Sequence, residues 1–231
     1  MFVKIAKFVT KNLFNVEGWI CVVSGSGTGL MIAQAFANNG AKVYITSCRQ
    51  ASLKHTIAHP KGKLIPVTCD EIDKQEDHID LLVNNAGISE ESKEWFRGDF
   101  EDRDSNFNWE NVYRTNINCF FTITAFFPLL NATSFGKSHT HWLYHEYYLS
   151  PYKYSVSKAA AIRLSTLLAQ EFRMVAGQVR TMARRKQYTD RPGRGEDITQ
   201  AALMLACNQY PYGQTLAIDG RYLLEHPCFT L

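Results

Sequence analysis

The segment YSVSK sets Tyr154 and Lys158 four residues apart at the start of a helical pattern, so both side chains project from one helix face. A free phenol has a pKa of about 10 and exchanges protons poorly at neutral pH. A neighbouring ammonium favours the phenolate, and Lys158 stands where it supplies that charge. The pair could therefore serve as an acid/base and its activator, although the same spacing arises by chance on solvent-facing helices. A second segment, VVSGSGTGLM over residues 22–31, closes an apolar run with Gly25, Gly27 and Gly29 and passes into a helical pattern near Leu30. Glycines at a strand-to-helix turn permit positive φ and let a pyrophosphate approach the helix N-terminus. A tight turn with no ligand is the plain alternative.

The elements that must position these groups alternate along the chain. WICVVSG (19–25), AKVYITS (41–47), KLIPVTC (63–69) and IDLLVNNAG (79–87) are near-continuous apolar runs, as expected of parallel strands buried on both faces. Between the first two, LMIAQAFANNG reads as a helix closed at Asn39-Gly40. Further helices are predicted near 109–130, 155–173 and 196–207, and a last strand at QTLAID (214–219). This order predicts a doubly wound, Rossmann-like parallel sheet in a single α/β domain over residues 1–231. Residues 1–14, with Lys4, Lys7 and Lys11 on one helical face, read as an N-terminal arm packed on the domain in preference to a membrane-surface helix.

With the Gly-rich turn first, Asn84-Asn85-Ala86-Gly87 next and Tyr154-x-x-x-Lys158 last, the chain resembles the short-chain dehydrogenase/reductase family over nearly its whole length, particularly its fungal secondary-metabolism members. The resemblance implies hydride transfer between a nicotinamide cofactor and a ketone or secondary alcohol of a small molecule. It makes Tyr154 the general acid in reduction and gives Lys158 a second task on the nicotinamide ribose. Asn116, in YRTNINCFF, matches the family's helix asparagine that holds a water for proton relay; a polar helix residue bonded to backbone is the alternative. The resemblance also makes Gly25, Gly27, Gly29, Leu30, Asn84 and Asn85 cofactor-binding. Asp70 falls where the family contacts adenine, with a strand-end cap as its rival. Arg49 follows the Gly-rich turn near the end of the second strand, where an acid suits the ribose 2′-OH of NAD and an arginine the 2′-phosphate of NADP. No acid occurs there, so NADP(H) is favoured over NAD(H).

Four segments depart from the family pattern. The family reads T-G-x-x-x-G-x-G, whereas here Gly29 is followed at once by Leu30-Met31, as though two residues were lost, and the loop or the first helical turn must absorb the loss. Only EIDKQEDH separates the third strand from the fourth. That is enough chain to span the roughly 24 Å of a crossover but too little for the usual helix, so sheet there is expected to be bare or covered by something else. The family's catalytic serine would fall at His141, and Ser138 and Thr140 offer the nearest hydroxyls for the substrate oxygen. Finally, the strand after the helix at 155–173, GQVRTMARRK, lacks the Pro-Gly that follows it in the family, and the substrate lid is cut to a few basic residues before Arg191-Pro192-Gly193. His139, His141 and His145 read as loop histidines, because no carboxylate or cysteine accompanies them in metal-ligand spacing.

The rest of the composition bounds the alternatives. A net charge of +3 is too slight to imply nucleic acid, and the basic run from Arg180 to Arg194 reads as a solvated loop. Six cysteines without a CxxC pair suit a reduced, cytoplasmic protein with no metal site. The longest apolar stretch, INCFFTITAFFPLL, is shorter than the roughly 20 residues of a membrane span and reads as a buried helix; no signal-peptide pattern is present. The resemblance implies a homo-oligomer, dimer or tetramer, built through the helices at 109–130 and 155–173. The departures keep a second function open: a protein of this fold that no longer moves hydride and serves as a binding or regulatory partner, or as a non-redox cyclase or isomerase. A third reading, that segments are missing and the chain folds poorly, has the lost crossover helix as its support.

Overall fold

The computed structural model describes residues 8–46, 63–67, 71–89, 109–117, 119–133, 139–146, 152–172, 178–185, 193–208, 210–211 and 213–218; residues 119, 120, 139–146, 152, 172 and 178–185 are described by their backbone. Seven parallel strands form one sheet: β1 (Ile20–Ser24), β2 (Lys42–Thr46), β3 (Lys63–Pro66), β4 (Leu81–Asn84), β5 (His139–Glu146), β6 (Gln178–Arg185) and β7 (Thr215–Ile218). Their order is β3-β2-β1-β4-β5-β6-β7, which reverses direction of travel between β1 and β4. In such sheets ligands bind outside the carboxyl ends of the strands at that switch point. The helices are α1 (Thr10–Leu13), α2 (Thr28–Asn38), α3 (Trp109–Asn116), α4 (Cys119–Ala132), α5 (Tyr152–Phe172) and α6 (Gly195–Cys207).

Strand periodicity divides the core into two layers. Cys21, Val23, Val43, Ile45, Leu81 and Val83 face α2 and α6, where Ile32, Phe36, Ile198 and Leu205 complete one cluster. Ile20, Val22, Tyr44 and Leu82 face the other way, onto Ile123, Phe126 and Leu130 of α4 and Ala161 and Leu168 of α5. Both faces are covered, which is why these strands read as continuous apolar runs.

Several boundaries differ from the sequence expectation. The helix predicted over 109–130 is divided between α3 and α4, with a bend at Ile117. His139, His141 and His145, expected in a loop, lie on β5, and Arg180, Arg184 and Arg185 of the basic run lie on β6. Polar residue types concealed β5 from a reading that looks for apolar runs, whereas GQVRTMARRK, expected as a strand, contains β6. Of the arm at 1–14, residues 8–14 are described, and they include the single turn α1, none of whose residues is buried.

Among its described residues, the short link after β3 carries tight turns over 71–75 and no α-helix. It nevertheless covers the sheet. Ile72 is fully buried in the cluster that holds Tyr44, Val67 and Ile79. Glu76 accepts hydrogen bonds from Lys42 and from the Tyr44 hydroxyl, pinning the link to β2. At the start of β4, Asp80 accepts from the Ile20 amide at 2.9 Å and from the Thr133 hydroxyl at 2.8 Å, docking β4 and the end of α4 onto β1.

Candidate active site

At the carboxyl ends of β1 and β4, the Ser24 hydroxyl accepts from the amides of Asn85 (3.1 Å) and Ala86 (3.2 Å) and donates to the Val83 carbonyl (3.3 Å). The Asn85 carboxamide donates to the Ser24 carbonyl at 3.0 Å. The two strand ends are thereby tied together, and the glycines lie against the tie. Gly25 has φ 84°, and a β-carbon there would stand 2.8 Å from Asn85 Nδ2 and 2.9 Å from Ala86 Cα. A β-carbon on Gly29 would collide with the same carboxamide and with the Ser24 carbonyl.

This packing locates the two missing residues. α2 begins at Thr28, earlier than the expected start near Leu30, so Gly29 lies in its first turn, packed against the strand end as the third glycine of a dinucleotide turn would be. The loss therefore falls in the loop between Gly25 and Gly27. α2 keeps a regular buried face of Ile32, Ala33, Phe36 and Ala37. Gly27, the N-cap of α2, is exposed with φ 69°, and nothing lies within 4 Å of where its β-carbon would be. Leu30 is partly buried against the core, and its amide bonds to the Gly27 carbonyl at 3.1 Å.

The second half of the site comes from α5 and α3. Tyr154 and Lys158 occupy the first two turns of α5, each only 5% exposed, with the Lys158 ammonium 5.4 Å from the centre of the Tyr154 ring. A β-carbon on Gly87 would stand 2.7 Å from Lys158 Nζ and 3.1 Å from Asn116 Oδ1, so the loop after β4, the lysine and the asparagine meet. Asn116 is 3% exposed. Its Oδ1 accepts from the Ile88 amide at 2.8 Å, and its Nδ2 donates to the Ile88 carbonyl at 3.0 Å and to the Ser157 hydroxyl at 2.9 Å. Ser157 in turn donates to the Tyr154 carbonyl at 2.7 Å. The side chain of Asn116 thus clamps the loop after β4 to the helix that carries Tyr154, and α3 ends at this residue.

Of the residues singled out from sequence, Gly25, Gly27, Gly29, Leu30, Asn84, Asn85, Asn116, Tyr154 and Lys158 lie about the carboxyl ends of β1 and β4. Arg49, Asp70 and Ser138 fall outside the described residues. The backbone of Thr140 pairs with Leu82 in the body of the sheet, and Trp142 pairs with Asn84. β5 then continues through Leu143 to Glu146, beyond the level of Asn84. Sequence reasoning missed Ser24 and Ser157. Ser24 was visible as the residue before the first glycine, but its partners lie about sixty residues away along the chain.

A nicotinamide dinucleotide fits this arrangement. Gly27 leaves open space at the positive end of α2, whose first turn holds no acidic residue to repel a phosphate. The carboxamide nitrogen of Asn84 is buried with no hydrogen-bond partner among the described residues, a donor left for an incoming group.

Comparison with known proteins agrees with this geometry. The profile of the short chain dehydrogenase family matches residues 19–190, and the chain belongs to the short-chain dehydrogenase/reductase family. It is similar to the short-chain dehydrogenase/reductase VdtF of Byssochlamys spectabilis, 40% identical over 93 residues covering 34% of this chain and 30% of that protein. It is also similar to PhomF of Diaporthe leptostromiformis, 33% identical over 152 residues covering 54% of this chain and 51% of that protein. The chain thus spans about half the length, or less, of these curated relatives. Among solved structures, a Pseudomonas aeruginosa RhlG/NADP active-site complex shares the fold with a TM-score of 0.73 at 23% identity, over 90% of this chain and 97% of that one.

Proposed function

We propose that this chain binds NADP(H) and interconverts a ketone and a secondary alcohol on a small molecule, with Tyr154 as acid/base. The observation that carries the reading is the buried Tyr154–Lys158 pair, with the ammonium 5.4 Å from the phenol ring and beside Gly87 and Asn116. When bound, the cofactor supplies the hydride. The chain's own part is the proton: the Tyr154 hydroxyl gives it to the substrate oxygen as reduction proceeds and takes it back in the reverse direction. Lys158 stabilises the phenolate that Tyr154 becomes, and burial of both groups strengthens that interaction. Asn116 holds the Gly87–Ile88 loop against α5 and, through the family's relay water, returns the proton to Tyr154.

Gly25, Gly27, Gly29 and Leu30 seat the pyrophosphate, Asn84 and Asn85 line the cofactor, and Asp70 is the adenine contact that the family resemblance implies. Arg49, with no acid near it in sequence, supports NADP(H) over NAD(H). The substrate oxygen takes its second hydrogen bond from a group on the part of β5 beyond Trp142, which the register carries past Asn84; Thr140, level with Leu82, falls short of the strand ends, and Ser138 precedes it in the chain. Resemblance to fungal members of the family supports a role in secondary metabolism and a cytoplasmic, homo-oligomeric enzyme. Exposed Phe121 on α4 and exposed Val156 and Leu167 on α5 support assembly through those helices. The competing reading, a fold that has lost redox activity, draws on the shortened loop between Gly25 and Gly27. Replacing Tyr154 by phenylalanine decides the role of the phenol: turnover should fall by about 10²- to 10⁴-fold with NADPH affinity kept. Unchanged turnover would show that Tyr154 is not the acid/base.

A further inference from the structure

We infer that Arg194, at the start of α6, grips the cofactor pyrophosphate in place of the two residues lost from the turn between Gly25 and Gly27. This rests on the cofactor reading above. α6 packs beside α2, and a β-carbon on Gly195 would stand 3.2 Å from the Met31 sulfur. Met31 is the fourth residue of α2, about 6 Å along the axis from Gly27. Long side chains on a helix lean toward its N-terminus, so the Met31 sulfur overlies the first turn of α2, and Gly195 overlies it in turn. Arg194 is therefore one residue from a position directly above the seat where a phosphate meets α2. Its backbone is fixed there, because its amide donates to the Asp197 carboxylate at 2.8 Å. Its side chain is exposed, and no carboxylate pairs with its guanidinium among the described residues.

A three-residue loop between Gly25 and the last glycine offers fewer backbone amides to a doubly charged pyrophosphate than the family's five. The first turn of α2 carries no basic residue of its own. An arginine presents paired donors matched to phosphate oxygens on a stem long enough to reach across a helix turn. Among the described residues, the acids nearest in sequence form no ion pair with it. Asp197 is engaged with the Arg194 amide, and Glu196 is turned about 100° around α6 from Gly195.

The test is fluorescence titration of the full chain with NADPH and with NADH, for wild type and for Arg194→Ser, in which serine keeps a good helix N-cap. Arg194→Ser should weaken both cofactors by about tenfold or more and lower the salt dependence of binding, and Arg194→Lys should recover part of the loss. Wild-type affinity in Arg194→Ser would overturn the inference. So would weakening of NADPH alone, because that places the arginine on the 2′-phosphate. Failure of the wild-type chain to bind either cofactor would instead overturn the cofactor reading, and this inference with it. Coincident thermal transitions of the three proteins exclude a folding artefact.

Discussion

At the scale of single residues, the site depends on close approaches that tolerate no added atom. Gly29 has Asn85 and the Ser24 carbonyl where its β-carbon would stand, so Gly29→Ala should lower stability by about 1–3 kcal/mol and weaken NADPH binding. Thermal melting with a parallel titration checks both, and an unshifted transition would mean that the turn yields. Asn116→Leu keeps the volume but leaves the Ile88 amide and carbonyl without their partner. It should lower stability by about 1–3 kcal/mol per unsatisfied group and lower turnover more than NADPH affinity. Tyr154, Lys158 and the three glycines were legible because their spacing is local and helix or turn geometry converts spacing into direction. Ser24 and Ser157 were not, because a hydroxyl takes its meaning from a partner brought near by folding. For Asn116 the backbone-bonded alternative describes what its side chain does here.

At the scale of elements, the sheet order and the short link after β3 were readable from the order and length of apolar runs, but how that link covers the sheet was not. Ile72 fills the place of a missing helix with one side chain. Ile72→Ala should therefore cost about 2–5 kcal/mol, seen as a lowered unfolding midpoint in urea, whereas a solvated loop would show almost no change. Glu76 gives the same link a pH signature. Its hydrogen bonds raise the pKa of Lys42, while burial first and then Glu76 raise that of Tyr44. Groups whose folded pKa is raised contribute stability that is complete below their unfolded values and is lost as pH rises through the folded ones. The buried Cys21 thiol, pushed well above its usual range by burial, adds to the same alkaline loss. Stability should decline above pH of about 9–10, and Glu76→Gln should flatten the part due to Lys42 and Tyr44. Melts from neutral to alkaline pH check this, and an equal decline in both proteins would remove Glu76 from the account. Strand β5 was harder to read, since its histidines, threonine and glutamate lack the apolar signal on which strand recognition depends.

At the scale of the whole molecule, seven parallel strands, of which β1, β2 and β4 are largely buried, hold the turn at 24–29 and the pair on α5 at one end of the sheet. Phe121 on α4 and Val156 and Leu167 on α5 are exposed large apolar residues on helices that cover one sheet face. Burying such residues between copies of the chain is the expected outcome, so Phe121→Asp should shift the protein to smaller species in light scattering, and an unchanged mass would place any interface elsewhere. No described helix is long and apolar enough to cross a membrane. Everything proposed for this molecule depends on whether a turn shortened between Gly25 and Gly27 still holds a dinucleotide. Titration of the purified chain with NADPH, followed by nicotinamide fluorescence, tests that most directly. Saturable enhancement at micromolar cofactor is the predicted result, and no change up to millimolar NADPH would contradict it.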